Sequence, residues 1–250
     1  MIDKRRLNLV ACAVATLSQA LLTQAALADD YLWTRYTTEG RNLVKQHKYG
    51  LADKCFRAAL TRAKQLDPKD GIIRDTYHDL AMLRYDQGRY QEAEPFFKSG
   101  IASYESYVKQ LGKDANAKKQ CLVALREQVK EMSTLADCYR AEGKYKLADV
   151  LYRSAMKDME QWGQQDTVLY ASMLSELADV LSMQKKYTEA EALYKQCQPI
   201  LEHHNALEYL VDLYQDYDAL LRVTNRNDEA EAMEKKIEKA RQLEHRASLE

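Results

Sequence analysis

Apolar and small side chains recur along most of this chain at spacings of three and four, the pattern of helices with one buried face. The pattern is clearest from Leu135 to Ala155, which reads LADCYRAEGKYKLADVLYRSA. Leu135, Ala136 and Tyr139 share one helical face, Gly143 interrupts, and Tyr145, Ala148, Tyr152 and Ala155 resume the spacing. The stretch predicts helix, tight turn, helix. Ala136, Ala148 and Ala155 are small enough for two backbones to approach closely, and Tyr139, Tyr145 and Tyr152 fill the space around them.

The same pattern returns along the chain when the alanine opening each second helix is used as a ruler. Gly40, Leu43, Tyr49, Ala52, Phe56 and Ala59 form a first copy, and Leu80, Ala81, Gly88, Tyr90, Ala93, Phe97 and Gly100 a second. The stretch above is the third. Leu177, Ala178, Leu181, Tyr187, Ala190, Tyr194 and Cys197 form a fourth, and Tyr217, Leu221, Ala230 and Ile237 a degenerate fifth. Successive ruler alanines lie 41, 55, 42 and 40 residues apart. A period of this size marks an array of helical hairpins. The spacing of 55 places an insertion after the second copy, with Leu111-Gly112-Lys113-Asp114-Ala115-Asn116 as the turn between two long helices.

The run L-A-x-x-Y-x-x-x-G-x-Y-x-x-A-x-x-x-Y-x-x-A resembles a tetratricopeptide repeat, whose usual period is about 34 residues. The longer period, with QGRYQEAEPFF (Gln87 to Phe97) and KKYTEAEALY (Lys185 to Tyr194), is similar to the long-helix form of kinesin light chains and bacterial repeat proteins. The resemblance implies an all-α, right-handed solenoid of about five repeats, at about 34–70, 71–111, 117–163, 166–204 and 205–246, within one domain over 29–250. It also implies a groove lined by the first helix of each repeat. Carried over by register, the groove candidates are Asp75, His78, Met82 and Tyr85 from repeat two; Lys130, Ser133, Asp137 and Arg140 from repeat three; and Ser172, Ser175, Asp179 and Met183 from repeat four. The long-helix family carries backbone-clamping asparagines just before the Leu-Ala pair. Here those places hold His78-Asp79, Ser133-Thr134 and Ser175-Glu176, so that clamp does not carry over.

The function this implies is a non-enzymatic scaffold that binds a partner protein or peptide through the groove. The alternative is a self-associating assembly module of an envelope complex. A mixture of charges with Met and Tyr suits a protein segment better than a nucleic acid. The formal net charge of −1 likewise gives no footprint for a polyanion.

The N-terminus departs from the repeat pattern. Lys4, Arg5 and Arg6 precede an uncharged, mostly apolar run from Leu7 that closes on Ala26-Leu27-Ala28. Basic, apolar, then small residues at −3 and −1 is the layout of a cleaved secretory signal, so residues 1–28 are expected to be removed. The mature protein would be periplasmic or extracellular. Membrane contact would follow only from an uncleaved segment or from lipidation of Cys12, where Leu9-Val10-Ala11-Cys12 resembles a lipobox.

Composition changes the picture little: 46% hydrophobic and 30% charged, with 8 Gly and 3 Pro, fits helix throughout. Asp166 reads as a helix N-cap, Pro95 as a first-turn proline, and the helix from Asp228 as a polar cap on the stack. Candidate chemistry is sparse, and neither a cofactor nor a metal is expected. His203-His204 lacks a third ligand nearby in sequence and reads as a polar loop, while Asp212, Asp216 and Asp218 read as a solvated face. No nucleophile elbow, phosphate loop, HExxH or CxxC is present. Of the cysteines outside the N-terminal run, Cys121 and Cys138 fall on one predicted helix, about 25 Å apart at 1.5 Å per residue, so Cys55, Cys121, Cys138 and Cys197 are read as free thiols.

Overall fold

The computed structural model describes residues 31–65, 71–112 and 117–247. The chain divides into two compact units, one ending at Ser103 and one beginning at Tyr104. In the first, α1 occupies residues 31–45, followed by α2 (Tyr49–Ala63), α3 (Ile72–Tyr85) and the start of α4 (Tyr90–Leu111). The second contains α5 (Lys118–Ala141), α6 (Tyr145–Gln161), α7 (Val168–Met183), α8 (Tyr187–His203), α9 (Leu207–Val223) and α10 (Asn227–Ala247). No strand occurs among the described residues. The 55-residue spacing is taken up by long helices, α4 of 22 residues and α5 of 24. The insertion turn at 113–116 and the export signal and Cys12 within 1–28 lie outside the described residues. No described helix is long and apolar enough to cross a membrane.

The ruler explains the packing. Ala52, Ala93, Ala148, Ala190 and Ala230 all have 0% exposure. Four residues on, Phe56, Phe97, Tyr152 and Tyr194 are buried, and after another turn so are Ala59, Gly100, Ala155 and Cys197. The facing helix supplies a matching small residue: Gly40, Ala81, Ala136 and Ala178, all buried. Each hairpin is thus two helices held close by small residues, with an aromatic ring filling the gap beside them. At Gly40 the approach is close enough that an added Cβ would lie 2.5 Å from a ring carbon of Phe56. In the first unit, Leu43, Ala52, Phe56, Leu80 and Leu83 form one cluster. Repeat five departs from the scheme. Asp218 stands at the small position and Glu234 at the aromatic one, and α10 buries little beyond Ala230 and Ala240.

Turns within the hairpins share one geometry. Gly143 adopts φ 70°, its N–H donates to the Arg140 carbonyl (3.0 Å), and the Lys144 N–H reaches back to Tyr139 (2.8 Å). This left-handed helix ending satisfies carbonyls that the helix leaves open. His47, Lys185 and Asn225 take the same left-handed φ without being glycine.

Two boundary expectations are corrected. Thr167, not Asp166, caps α7: its backbone is extended and its hydroxyl accepts from the Tyr170 N–H at 3.2 Å. Pro95 is the sixth residue of α4 and not in its first turn, because the preceding turn lets the helix start at Tyr90. The four cysteines at 55, 121, 138 and 197 are free, with Cys121 and Cys138 both on α5.

Candidate functional site

The first helices of the second unit carry a connected group of half-buried polar side chains. Asp137 and Arg140 stand one turn apart on α5, with Arg140 Nη2 3.2 Å from Asp137 Oδ1. Arg140 also reaches Glu176 Oε2 on α7 at 3.6 Å, an ion pair beyond hydrogen-bond distance. Behind them the second helices contribute tyrosines. Tyr152 on α6 donates to Asp137 Oδ1 at 2.9 Å, and Tyr194 on α8 donates to Asp179 Oδ1. Asp216 on α9 extends the group, interacting electrostatically with Asp179, Asp212 and Arg140.

The Tyr–Asp pairing follows from the repeat register. Asp137 and Asp179 sit two residues after the first-helix leucine of repeats three and four, where the buried aromatic is tyrosine. In repeats one and two the aromatic is phenylalanine, and the equivalent positions hold Arg41 and Met82. A buried hydroxyl needs an acceptor, so tyrosine and aspartate occur together.

Carboxylates outnumber cations in this group. Burial, then the nearby Asp137 carboxylate, pushes the Glu176 carboxyl up to about 7, with Arg140 opposing. Burial, then Asp179 and Asp212, does the same to Asp216, again to about 7. Asp179 is also raised by burial, against the Tyr194 hydrogen bond and Arg140. Near neutral pH this set therefore shares protons rather than carrying its full charge. Arg140 Nε and Glu176 Oε2 are buried without a hydrogen-bond partner.

Of the residues expected to line a groove, Asp137, Arg140 and Asp179 belong to this group. Lys130 is exposed and pairs with Glu127 at 2.8 Å, Ser172 bonds back to the Leu169 carbonyl at 2.9 Å, Ser175 is half-buried, and Met183 is exposed at the end of α7. Asp75, His78, Met82 and Tyr85 lie on α3 in the first unit, where Asp75 and His78 are exposed and Tyr85 meets the Tyr90 ring edge to face at 5.5 Å. Glu176 and Asp216 are additional members that the groove register passed over, and Asp79 holds the equivalent column in the first unit. All three occupy the column just before the leucine or tyrosine that opens the packing pattern, and that shared acidic column was the available signal. In the first unit Asp79 is nearly buried and accepts from Arg41 Nε at 2.9 Å.

A separate constellation lies at the turns. His203 ends α8, His204 follows it, and Asn205 reverses the chain at φ 49°. Asp166, in the loop before α7, places Oδ1 3.3 Å from His203 Nδ1 and 3.1 Å from His204 Nε2. The histidine pair, read as a polar loop without a third ligand, thus has one supplied 37 residues upstream. Asp212, by contrast, is exposed while Asp216 is half-buried toward Asp179.

Cys197 is not set up as a nucleophile. Cys197 is buried, donates to the Ala171 carbonyl at 3.1 Å, and is pushed up to about 12 by burial.

Comparison with known proteins places this geometry. The solved structure of BtubC (BKLC) from P. vanneervenii superimposes with a TM-score of 0.72 at 15% identity, covering 98% of this chain and 93% of that one. A Podosopora anserina protein of nearly identical kinesin light chain TPR-like repeats gives 0.61 at 14% identity, over 83% of this chain and 94% of that one. At these identities the likeness is one of fold. Response regulator aspartate phosphatase J of Bacillus subtilis (strain 168) is 25% identical over 144 residues, which is 52% of this chain and 34% of that protein. The chain therefore matches about a third of that relative's length. The Tetratricopeptide repeat profile matches residues 36–106 and 131–203, more than half the chain and the same residues whose small and aromatic columns pack the hairpins, so the chain belongs to the tetratricopeptide repeat family.

Proposed function

We propose that this protein is a scaffold that binds a partner protein segment along the first helices of its second unit, through the face carrying Asp137, Arg140, Glu176, Asp179 and Asp216. The observation that carries the reading is that these helices present one connected polar group across three successive repeats. A group with excess carboxylate complements a segment that supplies donors and positive charge. The same charge disfavours nucleic acid. Met183, 59% exposed on α7, adds an adaptable apolar contact at one edge.

This is a binding function and not catalysis. The relative named as a phosphatase is matched over a third of its length, and the buried Cys197 thiol lacks the environment of a reactive cysteine. The α3 residues Asp75, His78, Met82 and Tyr85 are proposed as a contact surface of the first unit in its own right.

Site-specific photo-crosslinking in the native host tests the reading. A photoreactive residue at Met183 or Ser175 should capture a discrete partner, and one at Lys157 or Lys195 should not. Capture from the Lys positions alone would move the site to the second helices. A second reading, self-association, is favoured by Leu147 and Val150, neighbours on α6 that are 49% and 67% exposed. Light scattering across a concentration series separates it, since only self-association raises the apparent mass.

Export belongs to the same proposal and rests on residues 1–28 alone. Mass spectrometry of the protein recovered from the host envelope should find an N-terminus at Asp29. An intact Met1 would discard export by cleavage, and a lipid on Cys12 would replace it with anchoring.

A further inference from the structure

We propose that Asp166, His203 and His204 form a binding site for a divalent transition-metal ion of the zinc class. The donor set is two imidazoles and one carboxylate, the mixture that zinc, nickel and copper accept and that magnesium and calcium do not favour.

The geometry suits the ion. Asp166 Oδ1 lies 3.3 Å from His203 Nδ1 and 3.1 Å from His204 Nε2, and one ligand atom from each residue falls within 4.8 Å of the others. Ligand atoms held at about 2.0–2.1 Å from a tetrahedral zinc ion stand about 3.3 Å from one another. The two oxygen–nitrogen separations are those of neighbouring corners of a coordination shell. The Asp166 backbone carbonyl, 3.1 Å from His204 Nε2, places a fourth donor atom beside the other three.

The backbone explains how adjacent histidines come to face one point. Successive residues on a helix diverge by about 100°, but α8 ends at His203 and Asn205 turns the chain back at φ 49°. The two rings consequently lie 4.9 Å apart by their centroids, with both nitrogens directed at the same carboxylate. A divalent cation satisfies all three groups at once. Asp166 is held in place because the next residue, Thr167, caps α7.

All three side chains are open to solvent, at 63% for Asp166, 68% for His203 and 35% for His204. Water would complete the shell, and the bound ion would tie the α6–α7 loop to the end of α8.

The test uses the full chain without a histidine tag and Zn²⁺ as the probe, titrated by calorimetry. One ion per chain is expected. His203→Ala, His204→Ala and Asp166→Ala should each weaken binding more than tenfold, with helical circular dichroism unchanged. Cys55→Ser, which removes the one half-buried thiol among the described residues, should leave it intact. The proposal is overturned if no one-to-one binding is seen, if the His203→Ala/His204→Ala double variant binds equally well, or if Cys55→Ser abolishes binding.

Discussion

At the scale of single residues, the hairpins are governed by side chains too small to yield. Ala148 has no exposed surface and Leu147 beside it is 49% exposed, although hydrophobicity alone would rank them the other way. Ala148→Leu forces volume between two touching helices and should cost about 1–3 kcal/mol. Leu147→Ala removes a solvated side chain and should stay within about 0.5 kcal/mol. Urea melts of the two variants should therefore separate clearly, and coincident midpoints would displace the register. Gly40 sets two opposing effects against each other. Alanine improves helix propensity by about 1 kcal/mol. Its Cβ would, however, stand 2.5 Å from the ring of Phe56, a side chain only 1% exposed and unable to swing away. Overpacking of about 1–3 kcal/mol outweighs the propensity gain, so Gly40→Ala should lower the thermal midpoint, where an isolated helix would gain.

At the scale of elements, one carboxylate joins three. Glu191 on α8 pairs with Arg226 in the turn before α10 at 2.6 Å, accepts the Tyr217 hydroxyl of α9 at 2.9 Å, and pairs with Lys195 on its own helix at 2.6 Å. The Arg226 hydrogen bond is the largest cause holding the Glu191 carboxyl at about 2, against an ordinary 4.5. The folded state thus binds this proton more weakly than the unfolded chain. The stabilisation is complete above pH 4.5 and is lost as pH falls toward about 2. Glu191→Gln should show a shallower loss of thermal midpoint across that acid window than the unaltered protein. A slope unchanged by the substitution would show that the three elements are held together otherwise.

At the scale of the whole molecule, the polar group on α5, α7 and α9 runs in the opposite direction. Glu176 and Asp216 are each raised to about 7, from ordinary values of 4.5 and 3.8. Here the folded state binds protons more tightly than the unfolded one. Their contribution is fully present below the ordinary values and is lost as pH rises toward 7. The doubly substituted Glu176→Gln, Asp216→Asn protein should lose less stability between pH 5 and 7.5 than the unaltered one, read by thermal melts across that range. The two carboxylates titrate as a set with Asp137 and Asp179, so the combined substitution is the informative one. Arg140 is the countercharge of this group as well as a candidate contact, and Arg140→Ala should steepen the same loss by leaving the carboxylates uncompensated.

Helical hairpins and the columns that pack them can be read from spacing, because helical packing is periodic and local. Ala52, Ala93, Ala148, Ala190 and Ala230 could be found by spacing, and each is buried. The pairing of Tyr152 with Asp137 and of Tyr194 with Asp179 follows the same columns, since Phe56 and Phe97 face no such aspartate, but which side chains meet was seen only in the structure. Turns at His47, Lys185 and Asn225 were harder to see, because the backbone there adopts a left-handed φ that glycine would have announced. Asp137, Arg140 and Asp179 fell on the groove register, but their joining with Glu176 and Asp216, and the histidine site, came from tertiary packing. Glu176 becomes a proton-sharing carboxyl only when α5 brings Arg140 and Asp137 beside it, and burial then removes the water that would have screened them. Asp166 meets His203 and His204 only because stacked hairpins bring together turns 37 residues apart, and the repeat period that stacks the hairpins does not say which turn side chains will touch.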